Sequence, residues 1–174
     1  MGKIIFYGAT SLDGYLATID DRIEWLTGLT GLPENIGADI LGSMSTAILG
    51  RTTYDYLQAA APDMPLNPFN SEMASYVLTH RPLPDGAGVA FREDNVIDLA
   101  KELQTQGNVW IVGGSAILTP LLAADLVDDL YLQIAPTLLG RGKRLFGNLT
   151  SAHQFELRAT HQYGPLAELV FSRR

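Results

Sequence analysis

A chain of 174 residues, 47% apolar and 18% charged, is the size of one globular domain and long enough to bury a core. Its formal net charge of −7 sets it against nucleic acid and anionic lipid, and the absence of cysteine excludes disulfides, thiolate zinc sites and a cysteine nucleophile. No segment reaches the roughly 18 unbroken apolar residues of a membrane span, and no signal peptide precedes the first apolar run, so a cytoplasmic protein is expected.

Ile4 to Tyr7 is apolar and β-prone and predicts a buried strand. A loop is expected over Ala9 to Gly14, with Asp13-Gly14 as turn chemistry. The surroundings of Trp25 predict a short helical turn within residues 20–28. Pro33-Glu34 opens a second helical pattern over 34–46, because Ile36, Ile40, Leu41 and Met44 keep helical spacing. Ala47 to Leu49 predicts a short strand ending at Gly50-Arg51, and Thr52 is the expected cap of the next helix, which carries Tyr54 and Leu57. Residues 61–72, rich in proline and asparagine, read as a loop.

Strands follow at Tyr76 to Thr79 and Gly88 to Phe91. Asn95 starts an amphipathic helix with Val96, Leu99, Ala100 and Leu103 on one stripe, closed by Gly107. Val109 to Val112 is a fully apolar strand that turns through Gly113-Gly114-Ser115 into another helix, which Pro120 interrupts unless it lies in the first turn. A strand over Leu130 to Ala135 precedes a glycine-rich loop from Gly140 to Gly147. Phe155–Tyr163 and Leu166–Ser172 alternate across Gly164-Pro165 as a hairpin. The order predicts an α/β fold with a mainly parallel central sheet, helices on both faces and an antiparallel C-terminal hairpin. Ligands on such sheets bind beyond the carboxyl ends of the strands, where this chain places its glycines.

Three strand ends carry candidate chemistry. At Gly50-Arg51-Thr52-Thr53 a glycine, a guanidinium and two hydroxyls meet a helix start, where free N–H groups favour an anion. At Gly113-Gly114-Ser115 two glycines allow close approach of a ligand to the main chain, and Ser115 is an expected cap. Tight strand-to-helix packing would explain the same glycines. At Thr79-His80-Arg81 a hydroxyl, an imidazole and a guanidinium suit the 2′-phosphate that distinguishes NADPH from NADH, although the segment taken alone reads rather as a solvated loop. Neither a G-x-G-x-x-G fingerprint nor a P-loop is present.

Taken in order, Ser11-Leu12-Asp13-Gly14-Tyr15-Leu16-Ala17, Leu49-Gly50-Arg51-Thr52-Thr53-Tyr54, Val112-Gly113-Gly114-Ser115, and Val127-Asp128-Asp129-Leu130 through Ala135-Pro136-Thr137-Leu138-Leu139-Gly140-Arg141-Gly142 to Leu145-Phe146 resemble the dihydrofolate reductase superfamily. The nearer likeness is to the branch of the riboflavin-pathway reductase domain and its small stand-alone relatives. The resemblance implies a dihydrofolate reductase-like three-layer fold, NADPH as cofactor, and hydride transfer to a pteridine- or pyrimidine-like heterocycle by a homodimer. It further implies that Gly50 to Thr53 bind cofactor phosphates and that Thr79, His80 and Arg81 hold the adenosine ribose and its phosphate. Gly113 and Gly114, often joined by a cis peptide in this family, would pack on the cofactor, with Ser115, Ala116, Ile117 and Leu118 at the pyrophosphate. Ala9, Gly14, Tyr15 and Leu16 would border the nicotinamide.

Tyr15 stands where relatives often carry a basic residue, Thr27 to Leu32 holds no arginine, and residues 56–72 hold no lysine or arginine. A substrate phosphate would forgo charge-assisted hydrogen bonds worth roughly 1.5–3 kcal/mol each, so an unphosphorylated substrate is expected. The candidate proton donors are Asp13, Asp21 and Glu24, with Glu24 favoured because Trp25 would desolvate its carboxyl. Two rival readings are a noncatalytic nucleotide-binding protein and a serine hydrolase using Ser115, although G-x-S-x-G is incomplete at Ile117 and the three histidines offer it no obvious base. No convincing metal-ligand set is visible.

Overall fold

The computed structural model describes residues 1–86 and 88–174. In chain order the elements are β1 (Ile4–Ser11), β2 (Tyr15–Ala17), α1 (Glu24–Thr27), α2 (Ala38–Gly42), β3 (Met44–Gly50), α3 (Arg51–Ala60), β4 (Ala74–Leu78) and β5 (Val89–Arg92). They continue with α4 (Val96–Gln104), β6 (Asn108–Gly113), α5 (Ser115–Ala123), β7 (Asp129–Ala135), β8 (Lys143–Arg144), β9 (Phe155–Tyr163) and β10 (Leu166–Arg173).

Unbroken apolar runs form the central strands because both sheet faces are covered. The main sheet has the order β5-β4-β3-β6-β1-β7-β10-β9. The pairings from β5 through β7 are parallel, while β10 runs antiparallel to both β7 and β9. Ile4, Phe6, Ile48 and Ile111 pack on one face against Leu99 and Leu103 of α4 and Leu118 and Leu121 of α5. On the other face Ile5, Tyr7, Ala47 and Trp110 meet Leu41 of α2, and Leu49, Val77 and Phe91 meet Tyr54 and Leu57 of α3. This is the three-layer, mainly parallel α/β architecture with an antiparallel C-terminal hairpin that the pattern predicts.

Several local expectations change. The first strand runs on to Ser11 rather than yielding a loop at Ala9, because β7 pairs with it as far as Ala135. The helix expected over 34–46 shrinks to Ala38–Gly42, and Met44 begins β3. Gly37, in a left-handed conformation, starts the helix so close to Tyr7 that an added Cβ would lie 2.3 Å from its hydroxyl. Neither Thr52 nor Ser115 is a cap; the capping positions fall on Gly50 and Gly114. Asn95 does cap α4, accepting from the Ile97 N–H at 2.9 Å. Pro120 lies inside α5. The glycine-rich loop contains β8, which pairs antiparallel with β2.

A polar row crosses the sheet from Tyr7 through the buried Gln133 and Glu168 to His161. Gln133 Nε2 donates to the Tyr7 hydroxyl at 2.7 Å and to Glu168 at 3.2 Å, and His161 Nδ1 lies 3.0 Å from the other Glu168 oxygen. Burial pushes the Tyr7 hydroxyl up to about 12.

Candidate active site

The carboxyl ends of β5, β4, β3, β6 and β1 lie side by side in that order. Neighbouring strands are about 4.8 Å apart, so this row spans nearly 20 Å. A cleft of about 670 Å3 runs along it. At its centre α3 and α5 both begin, immediately after Gly50 and Gly114, and no side chain caps either helix. No side chain satisfies the N–H groups of the first residues of these helices, which are left for something outside the helix, and both helix dipoles place partial positive charge there.

The glycines decide between packing and ligand contact. An added Cβ at Gly113 would meet nothing within 4 Å, at Gly114 only Leu16 Cδ1 at 4.0 Å, and at Gly50 only Ile117 Cγ1 at 3.8 Å. Strand-to-helix packing therefore demands none of them, and the room a Cβ would take at Gly113 is open cleft. Gly113 also has φ +124° and is joined to Gly114 by a cis peptide.

The two ends of the cleft differ. Thr79, His80, Arg92, Glu93 and Asp94 form the β4–β5 end. At the β1 end the walls are Ala9, Leu16, Ile23 and Leu26, and Val112 and Leu57 also line the cleft. The charged groups there are Asp21 and Lys143, which form an ion pair.

A sequence profile describing the RibD C-terminal domain matches residues 2–167. The chain belongs to the RibD C-terminal domain family. It is 31% identical to the uncharacterized protein YwjB of Bacillus subtilis, over 98% of both chains. A putative riboflavin biosynthesis protein from Shewanella sp. PV-4 shares its fold with a TM-score of 0.83, 24% identity, and coverage of 100% of this chain and 99% of the other. Dihydrofolate reductase from Enterococcus faecalis, solved with NADP(H) and RAB-propyl, superposes with a TM-score of 0.69 at 19% identity, covering 99% and 96% of the two chains.

In this RibD C-terminal domain the cleft is lined by Ala9, Leu16, Gly50, Arg51, Thr52, Thr53, Thr79, His80, Gly113, Gly114, Ser115, Ala116 and Ile117. Four further residues expected at the cofactor do not line it. Gly14 forms the turn, with φ +85°. Tyr15 is buried, with its hydroxyl 3.4 Å from the Gly140 carbonyl and Arg144 over its ring. Leu118 lies wholly in the core. Arg81 contributes its carbonyl, which accepts from Arg51 at 2.8 Å, while Arg51 Nε donates to Asp55 at 2.7 Å.

Of the candidate acids, Glu24 and Asp13 do not line the cleft. Glu24 sits on a one-turn helix with no buried residue, is 63% exposed and pairs with Arg22 at 3.4 Å. Trp25 thus does not bury it. Asp13 accepts from the Ser11 hydroxyl at 2.6 Å and from the N–H groups of Leu139 and Gly140 at 3.1 and 2.7 Å. These bonds, that from Ser11 foremost, hold its carboxyl down to about 2. Asp13 thus clamps the β1 turn to the loop after β7 by accepting three hydrogen bonds, and it does not line the cleft.

The clamp gives a pH prediction. A depressed carboxyl contributes stability that is present above its unfolded value near 4 and is lost as pH falls through about 2. Asp13→Ala should therefore be less stable than the native protein at pH 7, with the difference in unfolding midpoint closing below pH 4. A constant difference across that range would remove the clamp.

The hydrolase reading loses its geometry, since no hydrogen bond joins Ser115 to a histidine among the described residues. His153 does bridge Ser151 at 3.2 Å and Asp125 at 2.9 Å, in a surface loop outside the cleft. Composition gave no signal for Arg92, Asp94 or Lys143, because each sits in a polar stretch that reads as solvated loop.

Proposed function

We propose that this protein is an NADPH-dependent reductase that transfers hydride to a flat, unphosphorylated heterocycle. The observation that carries the reading is the meeting of two uncapped helix starts over adjacent strand ends, at glycines whose missing side chains leave cleft rather than clash. That donor set fits a dinucleotide: main-chain N–H groups of Arg51 to Thr53 and of Ser115 and Ala116 would hold the pyrophosphate. Thr79 and His80 would receive the adenosine end, and Ala9, Leu16 and Gly113 would border the nicotinamide.

When bound, NADPH supplies the hydride. The residues of the chain do the rest. Ile23, Leu26, Leu57 and Val112 form apolar walls that exclude water and orient a planar ring beside Ala9. Asp21 and Lys143 are the titratable groups placed to pass a proton at that end. The family's link to riboflavin synthesis and the fold it shares with dihydrofolate reductase favour a pyrimidine or pteridine ring. The absence of a free cation along the apolar walls, among the described residues, favours a substrate without a phosphate.

Titration with NADPH tests the reading. Saturable enhancement of nicotinamide fluorescence and a raised Tm are expected; at a hundredfold excess over Kd the stabilisation is about 2.7 kcal/mol. Indifference to both NADPH and NADH would remove the reductase.

A further inference from the structure

Arg92 is the last residue of β5 and pairs with Leu78 of β4, and its carbonyl accepts the Thr79 N–H at 2.9 Å. Strand pairing therefore sets Arg92 beside the Thr79-His80 end of the cleft, which it lines. Its guanidinium carbon lies over the Tyr76 ring, 5.8 Å from its centre and within cation–π range. Two carboxylates flank it: Asp85 at 3.6 Å from Nη1 and Asp94 at 3.9 Å from Nε. Both distances are ion-pair contacts too long to be hydrogen bonds. The only acceptor it reaches among the described residues is the Phe91 carbonyl, at 3.3 Å. Most of its five N–H donors are therefore unspent.

The other cations near this end are committed differently. Arg51 spends Nε on Asp55 and Nη1 on the Arg81 carbonyl, and the Arg81 side chain is absent from the cleft wall.

We infer that Arg92, tuned by Asp94, sets the preference between a 2′-phosphorylated dinucleotide and its unphosphorylated counterpart; the inference rests on the dinucleotide reading of the cleft. An incoming phosphate takes the unspent fork of Arg92 and must displace the attraction of the two carboxylates. NADH makes no such demand. Arg92 thus gives the preference for NADPH, and Asp94 holds it below what a free guanidinium would give.

The test is direct binding by nicotinamide fluorescence to the native protein, Arg92→Gln, Asp94→Asn and Arg81→Ala, each with NADPH and with NADH. Arg92→Gln should weaken NADPH roughly tenfold to a hundredfold, the scale of lost charge-assisted hydrogen bonds, and leave NADH within about twofold. Asp94→Asn should tighten NADPH by a few-fold and flatten no other response, a gain that a damaged fold does not produce. Arg81→Ala should change neither. Equal weakening of both cofactors by Arg92→Gln, or a fall in NADPH preference on Asp94→Asn, overturns the assignment while the dinucleotide reading stands. Failure of the native protein to bind either cofactor overturns both.

Discussion

Replacing Gly113 with alanine should lower NADPH affinity roughly tenfold to a hundredfold, the scale of the about 1–3 kcal/mol that forcing an extra methyl into a filled site costs. Two effects act together. The new methyl meets no protein atom within 4 Å, so it projects into the cleft where a ligand would lie against the main chain. The backbone at φ +124° is also one that an L side chain rarely adopts, at a cost of about 1–3 kcal/mol. Gly31→Ala separates them. Gly31 has φ +80° and equally open space around its missing Cβ, but it lies outside the cleft. Both variants should lose stability in urea, whereas only Gly113→Ala should lose cofactor. If Gly113→Ala binds NADPH as the native protein does, the cleft is not where the dinucleotide lies.

Gly113 also shows what the amino-acid order could and could not reveal. The apolar run Val109–Val112 and the glycines after it mark a strand entering a helix, and Asn95 marks the start of another, because these signals are local. Whether the glycines serve packing or a ligand is not local: it depends on what other elements bring near them, and at Gly114 that is only Leu16 of β2, at 4.0 Å. The 34–46 segment fails for the same kind of reason. Its helical spacing is real, but the chain must pass Gly37 close over the Tyr7 hydroxyl and deliver Met44 to the sheet, leaving five residues of helix. Tertiary contact overrides propensity there.

The acids repeat the lesson. A carboxyl beside a tryptophan in sequence suggests desolvation, yet Glu24 points to solvent and meets Arg22. Arg92 reads as part of a polar stretch between a strand and a helix, and becomes a cleft residue only because β5 pairs with β4 in the register that sets it opposite Leu78. The residue types within a strand fix which side chains face the core, but which residue of a neighbouring strand stands opposite is decided by the pairing across the sheet.

Phe6→Ala should cost about 3–5 kcal/mol, measured as a shift of the urea midpoint at constant m. Phe6 is 0% exposed and lies in the cluster with Ile111 and Leu118, between the central strand and the helices that frame the cleft. Its ring end abuts Gly8, which itself lines the cleft: a Cβ on Gly8 would come within 2.8 Å of Phe6 Cζ. Gly8→Ala alone should therefore overpack, at about 1–3 kcal/mol, because a ring fully enclosed by its neighbours has no easy direction in which to yield. Combining Gly8→Ala with Phe6→Leu, which withdraws the far edge of the ring, should cost less than the two separate changes summed, with a coupling of about 0.5–3 kcal/mol. Strict additivity would mean that core and cleft floor are independent. Coupling would show that the ring beneath Gly8 fixes the height of the cleft floor, so that the same packing that stabilises the sheet also sets how closely a ligand can approach it.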